Sequence, residues 1–172
     1  DADGANGGSI EMHARDNVTL KNTGQLLARG TGDTLVAGDT GTGAGGSVML
    51  SSLSTASIDA VTAESGALID VGGDQQGAVA GKKGSVTMHA YRGATGSANT
   101  VNVAFATTAA VKGAEEVRLE GVKVYNSATF ATNTSTIVTD TNAFYTANPG
   151  SGSYAATQDG ATISVLPNIE VR

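Results

Sequence analysis

Three carboxylates, Asp59, Glu64 and Asp70, lie close together in the chain and are the best candidates for acid–base chemistry. A glycoside hydrolase needs two carboxyl groups facing one groove about 5–10 Å apart, a spacing open to Asp59 and Asp70 on adjacent strands. The stretch around them holds no Lys or Arg to act as the base of a lyase. Asp70, just before Val71-Gly72-Gly73, is also where a strand meets a corner and an Asx turn forms naturally. The expectation is therefore no catalytic, cofactor-binding or metal-ligating residues. His13 and His89 are both preceded by Met and followed by Ala, and a metal between them would need them side by side. Asp1-x-Asp3-Gly4-x-Asn6-Gly7 faintly resembles a calcium loop, but Ala stands at the fifth position, where such a loop needs an oxygen ligand. Asn17-Val18-Thr19 and Asn133-Thr134-Ser135 match the glycosylation sequon and read as chance matches. With no Cys, thiolate metal sites, disulfides and Cys nucleophiles are excluded.

The elements that must carry these residues come from a repeat. Gly8-Ser9-Ile10-Glu11-Met12-His13-Ala14, Gly46-Ser47-Val48-Met49-Leu50-Ser51-Ser52 and Gly84-Ser85-Val86-Thr87-Met88-His89-Ala90 align at a constant spacing, the mark of stacked units. Each alternates with period two, so each reads as a strand. Ile10, Met12 and Ala14 point one way, as do Val48, Leu50 and Ser52, and Val86, Met88 and Ala90. His13 and His89 fall on the polar side with Ser51 between them, roughly 10 Å apart over two rises, too far to share a metal.

Further strands are expected over 17–21 and 25–29, over 57–60 and 67–71, and over 100–105 and 109–112, none longer than about six residues. Three short strands per unit describe one coil of a parallel β-helix, with a 38-residue coil preferred over two coils of 19. Gly is expected to supply positive-φ corners, and Gly/Thr-rich loops to project over 31–45, 74–83 and 126–153. The expected interior is Ile10, Met12, Val48, Leu50, Val86, Met88, Val18, Leu20, Leu68 and Val71. The repeat units run near 8–45, 46–83 and 84–113. Beyond them, 114–172 is less regular, with one or two strands over 116–125, irregular chain over 126–139, a short helix over 140–147 capped by Asp140 or Thr141, and two closing strands over 161–165 and 169–172. The whole reads as one all-β segment of about four to five coils.

Composition agrees. Gly is 24 of 172 residues, charged residues are 15% and aromatics 4%, which disfavours a helical bundle or a large α/β core. The net charge of −6 disfavours nucleic acid. No apolar run approaches the ~20 residues that span a bilayer. Because the chain begins with Asp1 rather than Met, it is expected to be an internal or processed piece of something longer.

Gly45-Gly46-Ser47-Val48-x-Leu50, Ala67-Leu68-Ile69-Asp70-Val71-Gly72-Gly73, Glu116-Val117-x-x-Glu120-Gly121-Val122-Lys123-Val124-Tyr125, Asp140-Thr141-Asn142-Ala143-Phe144 and Leu166-Pro167-Asn168-Ile169-Glu170-Val171-Arg172 together resemble the filamentous-haemagglutinin-like exoproteins of Gram-negative bacteria. The family more often has Gly in place of Asn168, and the likeness runs from about residue 4 to the end. The resemblance implies a right-handed parallel β-helix shaft, without catalytic residues, of an extracellular or cell-surface adhesin exported by two-partner secretion through an outer-membrane β-barrel transporter. The implied partner is a cell-surface receptor or glycan.

Three functions follow as expectations. The first is a structural shaft that attaches through projecting loops. The second is a carbohydrate-processing β-helix enzyme resting on Asp59, Glu64 and Asp70. The third is a subunit that stacks end to end through unpaired strands. If glycans bind, Tyr91, Tyr125, Phe144, Tyr145 and Tyr154 are the rings to stack on them. Glu115, Glu116 and Glu120, interleaved with Lys112, Arg118 and Lys123, read as a solvated face of weak ion pairs.

Overall fold

The computed structural model describes residues 6–30, 43–54, 60–73, 82–93, 100–106, 109–132, 134–148 and 161–172. Among the described residues eleven strands and one α-helix form a mostly β fold with three parallel sheets. The chain enters the sheets in rotation. It runs through β1 (Ser9–Ala14), β2 (Val18–Leu20) and β3 (Gln25–Leu27), then β4 (Ser47–Ser52), β5 (Val61–Ala63) and β6 (Leu68–Asp70), then β7 (Gly84–Tyr91), β8 (Val103–Phe105) and β9 (Ala110–Lys112). The last passes, β10 (Ala114–Tyr125) and β11 (Thr162–Val171), both join the first sheet. That sheet runs β1-β4-β7-β10-β11, beside β2-β5-β8 and β3-β6-β9. One sheet thus holds five passes and the other two hold three.

The repeat sets the register of the first sheet. Ser9 lies opposite Ser47, and Ser47 opposite Ser85; Ser9 and Ser47 are 38 residues apart and their hydroxyls meet at 3.1 Å. One pass per 38 residues replaces the alternative of 19. The second sheet keeps its own interval, as Lys21 and Glu64 beside it are 43 apart, because the link from β4 to β5 is longer than that from β1 to β2. Residues 57–59 of the strand expected over 57–60 lie outside the described residues; the described strand of this pass is β5, where Val61 covers Val18.

Two apolar columns fill the interior: Ile10–Val48–Val86–Val117–Ile163 and Met12–Leu50–Met88–Leu119–Val165. Val48, Leu50, Val86, Met88, Val18 and Val71 are buried, and Ile10 and Leu20 pack partly buried against them. Two expected core residues differ. Met12 is 41% exposed, because β1 is the edge of its sheet and nothing pairs on its far side among the described residues. Leu68 is half-buried while Ile69 is buried, because the inward column of the third sheet is Leu26–Ile69–Val111.

Glycine at the corners serves close approach more than positive φ. Among the described glycines only Gly66 and Gly113 have positive φ, and Thr23 shares that conformation at the turn equivalent to Gly66. At Gly46, a Cβ would lie 2.1 Å from the Gly8 carbonyl oxygen and 2.7 Å from that of Ala28, so neighbouring passes touch backbone to backbone.

The C-terminal part departs most from expectation. β7, β10 and β11 are 8, 12 and 10 residues long, beyond the expected six. After β10 the described residues form a 3-10 turn (Ser127–Thr132) and helix α1 (Thr134–Ala147) rather than an immediate second-sheet strand. The two strands expected at the end are the single β11, with Pro167 inside it; proline is tolerated there because β11 is an edge. The stretch 126–139, expected to be irregular, contains the 3-10 turn and the first part of α1. Asp140 is therefore mid-helix, not a cap. Thr139 and Thr146 donate to the carbonyls of Ser135 and Asn142, bonds that keep these hydroxyls occupied on the helix.

Candidate functional site

α1 is held against the first sheet by one ring and one carboxylate. Phe144 is fully buried in the core. It occupies space that only glycine leaves free, since a Cβ on Gly121 would lie 2.7 Å from the ring. The Arg92 guanidinium sits 4.3 Å from the centroid of that ring. Arg92 also donates to the carbonyls of Gly121 (3.1 Å) and Asp140 (3.4 Å). The Asp140 carboxylate accepts from Lys123 and from the Tyr125 hydroxyl, the latter at 2.8 Å. Burial pushes the Asp140 carboxyl up, but these donors and the nearby Arg92 outweigh it and hold it below its ordinary value. Burial, followed by the bond to Asp140, pushes Tyr125 up to about 12. Among the described residues this cluster lies beside the first sheet after β10, and Arg92, Lys123, Tyr125 and Asp140 each have a partner within it.

A second polar row lies on the outer face of β7, β10 and β11. His89 stands 3.1 Å from Glu120, which also accepts from Asn168 at 3.2 Å. The Tyr91 hydroxyl donates to Glu170 at 2.8 Å. Burial first, then Glu170, pushes the Tyr91 hydroxyl up, while bonds from Arg172 and Tyr91 hold Glu170 below the usual carboxylate range.

Of the three carboxylates singled out, Glu64 and Asp70 are described, and each makes its own local bonds. Glu64 accepts from Lys21 at 2.6 Å and from the Asn22 amide at 3.0 Å. The Lys21 bond leads in holding it below its ordinary value. Asp70 accepts from the Gly72 amide at 3.1 Å, the Asx turn its position suggested, with Arg29 at 3.8 Å on its other oxygen. Asp59 lies outside the described residues. His13 and His89 occupy one row with Ser51 between them, and each faces its own carboxylate, Glu11 for His13 at 3.7 Å and Glu120 for His89. Glu116 pairs with Arg118 at 2.9 Å.

Among the described residues no group of three His, Asp or Glu could hold a metal, and no helix is long and apolar enough to cross a membrane. Asp1, Asp3, Asn133, Tyr154 and most of the loops over 31–45 and 74–83 lie outside the described residues. Of the remaining rings proposed for glycans, Tyr91, Tyr125 and Phe144 are buried and Tyr145 is 50% exposed.

An open groove of about 790 Å³ lies where the first-sheet strands begin. The Gly-Ser pairs of three passes line it, with Lys83, Glu116 and Thr162. The sequence repeat aligned these Gly-Ser pairs but gave no expectation of a groove. The groove forms because the glycines leave a bare backbone floor beneath the Ser9–Ser47 hydroxyl contact.

The chain matches no family model, no curated protein and no solved structure.

Proposed function

We propose that this chain is a stretch of right-handed parallel β-helix that serves as a rigid shaft segment of a secreted, cell-surface filamentous adhesin. The observation that carries the reading is the rotation of the chain through three parallel sheets with the Gly-Ser strands in unbroken register. Such a stack is stiff because each inner strand is hydrogen-bonded on both sides, and its stability is roughly a sum of pass and neighbour terms. Export passes through an outer-membrane β-barrel transporter, and attachment to a receptor or glycan uses elements that project from the stack. Low aromatic content and acidic charge suit a solvated extracellular shaft. A carbohydrate-processing enzyme is the weaker reading, because Glu64 and Asp70 are each engaged in a separate local bond rather than facing one groove.

The test is surface exposure in the producing bacterium. Antibodies against this segment should label intact cells, and added protease should remove the label. A protected, intracellular pool alone would overturn the proposal. Incubation with pectin, alginate and hyaluronan should release no product; release that disappears in Asp70→Asn would favour the enzyme.

A further inference from the structure

We infer that the outward face of α1 binds uncharged glycans, with the Tyr145 ring as the platform on which a sugar stacks; the inference rests on the adhesin reading above and names the surface that attaches. α1 stands outside the rotation of the chain through the three sheets, between β10 and β11. It gives Phe144 to the core. At about 3.6 residues per turn, Ser135, Val138, Thr139, Asn142, Tyr145 and Thr146 share the side of the helix opposite Phe144, and all are exposed. Packing does not account for these residue types. Thr, Ser and Val are poor helix formers, and Thr134–Ala147 has no Lys, Arg or Glu to form ion pairs along the helix. Its one carboxylate, Asp140, is turned inward to Lys123 and Tyr125. A solvent face that gives up both helix propensity and charge breaks the local rules, and such breaks concentrate at functional sites.

The chemistry of the face selects the ligand. Tyr91, Tyr125 and Phe144 are buried, whereas Tyr145 is 50% exposed. Its ring stands edge-on to that of Phe144, 6.5 Å away and inclined by 77°, so a buried neighbour steadies the exposed platform. The CH face of a pyranose is apolar and packs on such a ring, while its hydroxyls need partners around the rim. The Thr139 and Thr146 hydroxyls donate to the carbonyls of Ser135 and Asn142, which leaves their oxygens to accept. The Asn142 carboxamide both donates and accepts. Sugar hydroxyls complement that set. An acidic glycan, a nucleic acid or an acidic peptide would need cations, and a basic partner would need carboxylates; this face has neither. A protein partner would need a wider apolar centre than Val138 and Tyr145 supply.

Saturation-transfer NMR of the purified chain with neutral oligosaccharides ending in galactose, glucose, N-acetylglucosamine, mannose or fucose tests this. The ring CH protons of at least one of these sugars should receive saturation from the protein. Tyr145→Ala should weaken that binding by roughly tenfold or more, Tyr145→Phe should keep it, and Asn142→Ala should weaken it less than Tyr145→Ala does. Excess heparin should not displace the sugar. Unchanged far-UV circular dichroism would show that each variant keeps α1 and the strands. Transfer to none of the sugars overturns the inference, as does binding that survives Tyr145→Ala or is displaced by heparin, since the site then lies elsewhere or selects charge. The adhesin reading is judged separately: intact cells that take the antibody label while the chain binds no sugar keep the shaft and lose only the α1 site.

Discussion

Gly8 and Gly46 occupy the same position of the repeat, yet alanine should have opposite effects at the two. A Cβ at Gly8 meets nothing within 4 Å, and Gly8 lies outside the positive-φ region. Gly8→Ala should therefore be neutral, or should gain up to about 0.5 kcal/mol by restricting the unfolded chain. At Gly46 the same methyl would lie 2.1 Å from the Gly8 oxygen and 2.7 Å from the Ala28 oxygen. Both oxygens are in use: Gly8 accepts from the Ser47 amide at 3.0 Å and Ala28 from the Gly46 amide at 2.8 Å. Relief requires the passes to separate by about 1 Å, which breaks or stretches both bonds. Two hydrogen bonds at about 1 kcal/mol each, together with about 1–3 kcal/mol of overpacking, give a cost of about 3–5 kcal/mol. With a urea m-value near 2 kcal/mol/M, the unfolding midpoint should fall by about 2 M. Urea titration followed by far-UV circular dichroism measures both variants, with Gly84→Ala as a second severe case, since its Cβ would lie 2.2 Å from the Gly46 oxygen. If Gly46→Ala proves as mild as Gly8→Ala, the passes are not in backbone contact and the close-packed corner is wrong.

Leu50→Ala should cost about 2–5 kcal/mol, as expected for a fully buried side chain, and Met12→Ala in the same column clearly less; equal losses in thermal melts would refute the open end at β1. Phe144→Ala should cost about 3–5 kcal/mol, and Gly121→Ala should be far better tolerated in that background than in wild type, a coupling that a double-mutant cycle reads directly. Asp140 has a lowered folded-state pKa, so its stabilising effect is present above the ordinary carboxylate value of about 4 and is lost as pH falls through the folded value; Asp140→Asn should lower Tm at pH 7 and flatten the acid limb, and parallel pH curves would refute this. Thr23 has φ 63, strained for a β-branched residue, and Thr23→Gly should raise stability by about 1 kcal/mol, a gain visible in the same urea titration.

The alternation of Ile10/Met12, Val48/Leu50 and Val86/Met88 at one spacing determined by itself that these strands stack in parallel and which side turns inward. A period of two leaves each side chain only two faces, and equal spacing leaves one register. The Asx turn at Asp70 and the row His13–Ser51–His89 were legible for the same local reasons. In the shorter strands the alternation is brief, so the expectation chose Leu68 as the inward residue, whereas Ile69, set between Leu26 and Val111, is the buried one. The exposure of Met12 follows from its place at an edge, which no residue pattern encodes. α1 was hidden because 134–139 is made of Thr, Ser, Ile and Val, poor helix formers; the contacts of Phe144 with Gly121 and of Asp140 with Lys123 and Tyr125 override that preference. The Gly-Ser groove likewise belongs to the tertiary structure, since a concavity exists only once three passes lie side by side.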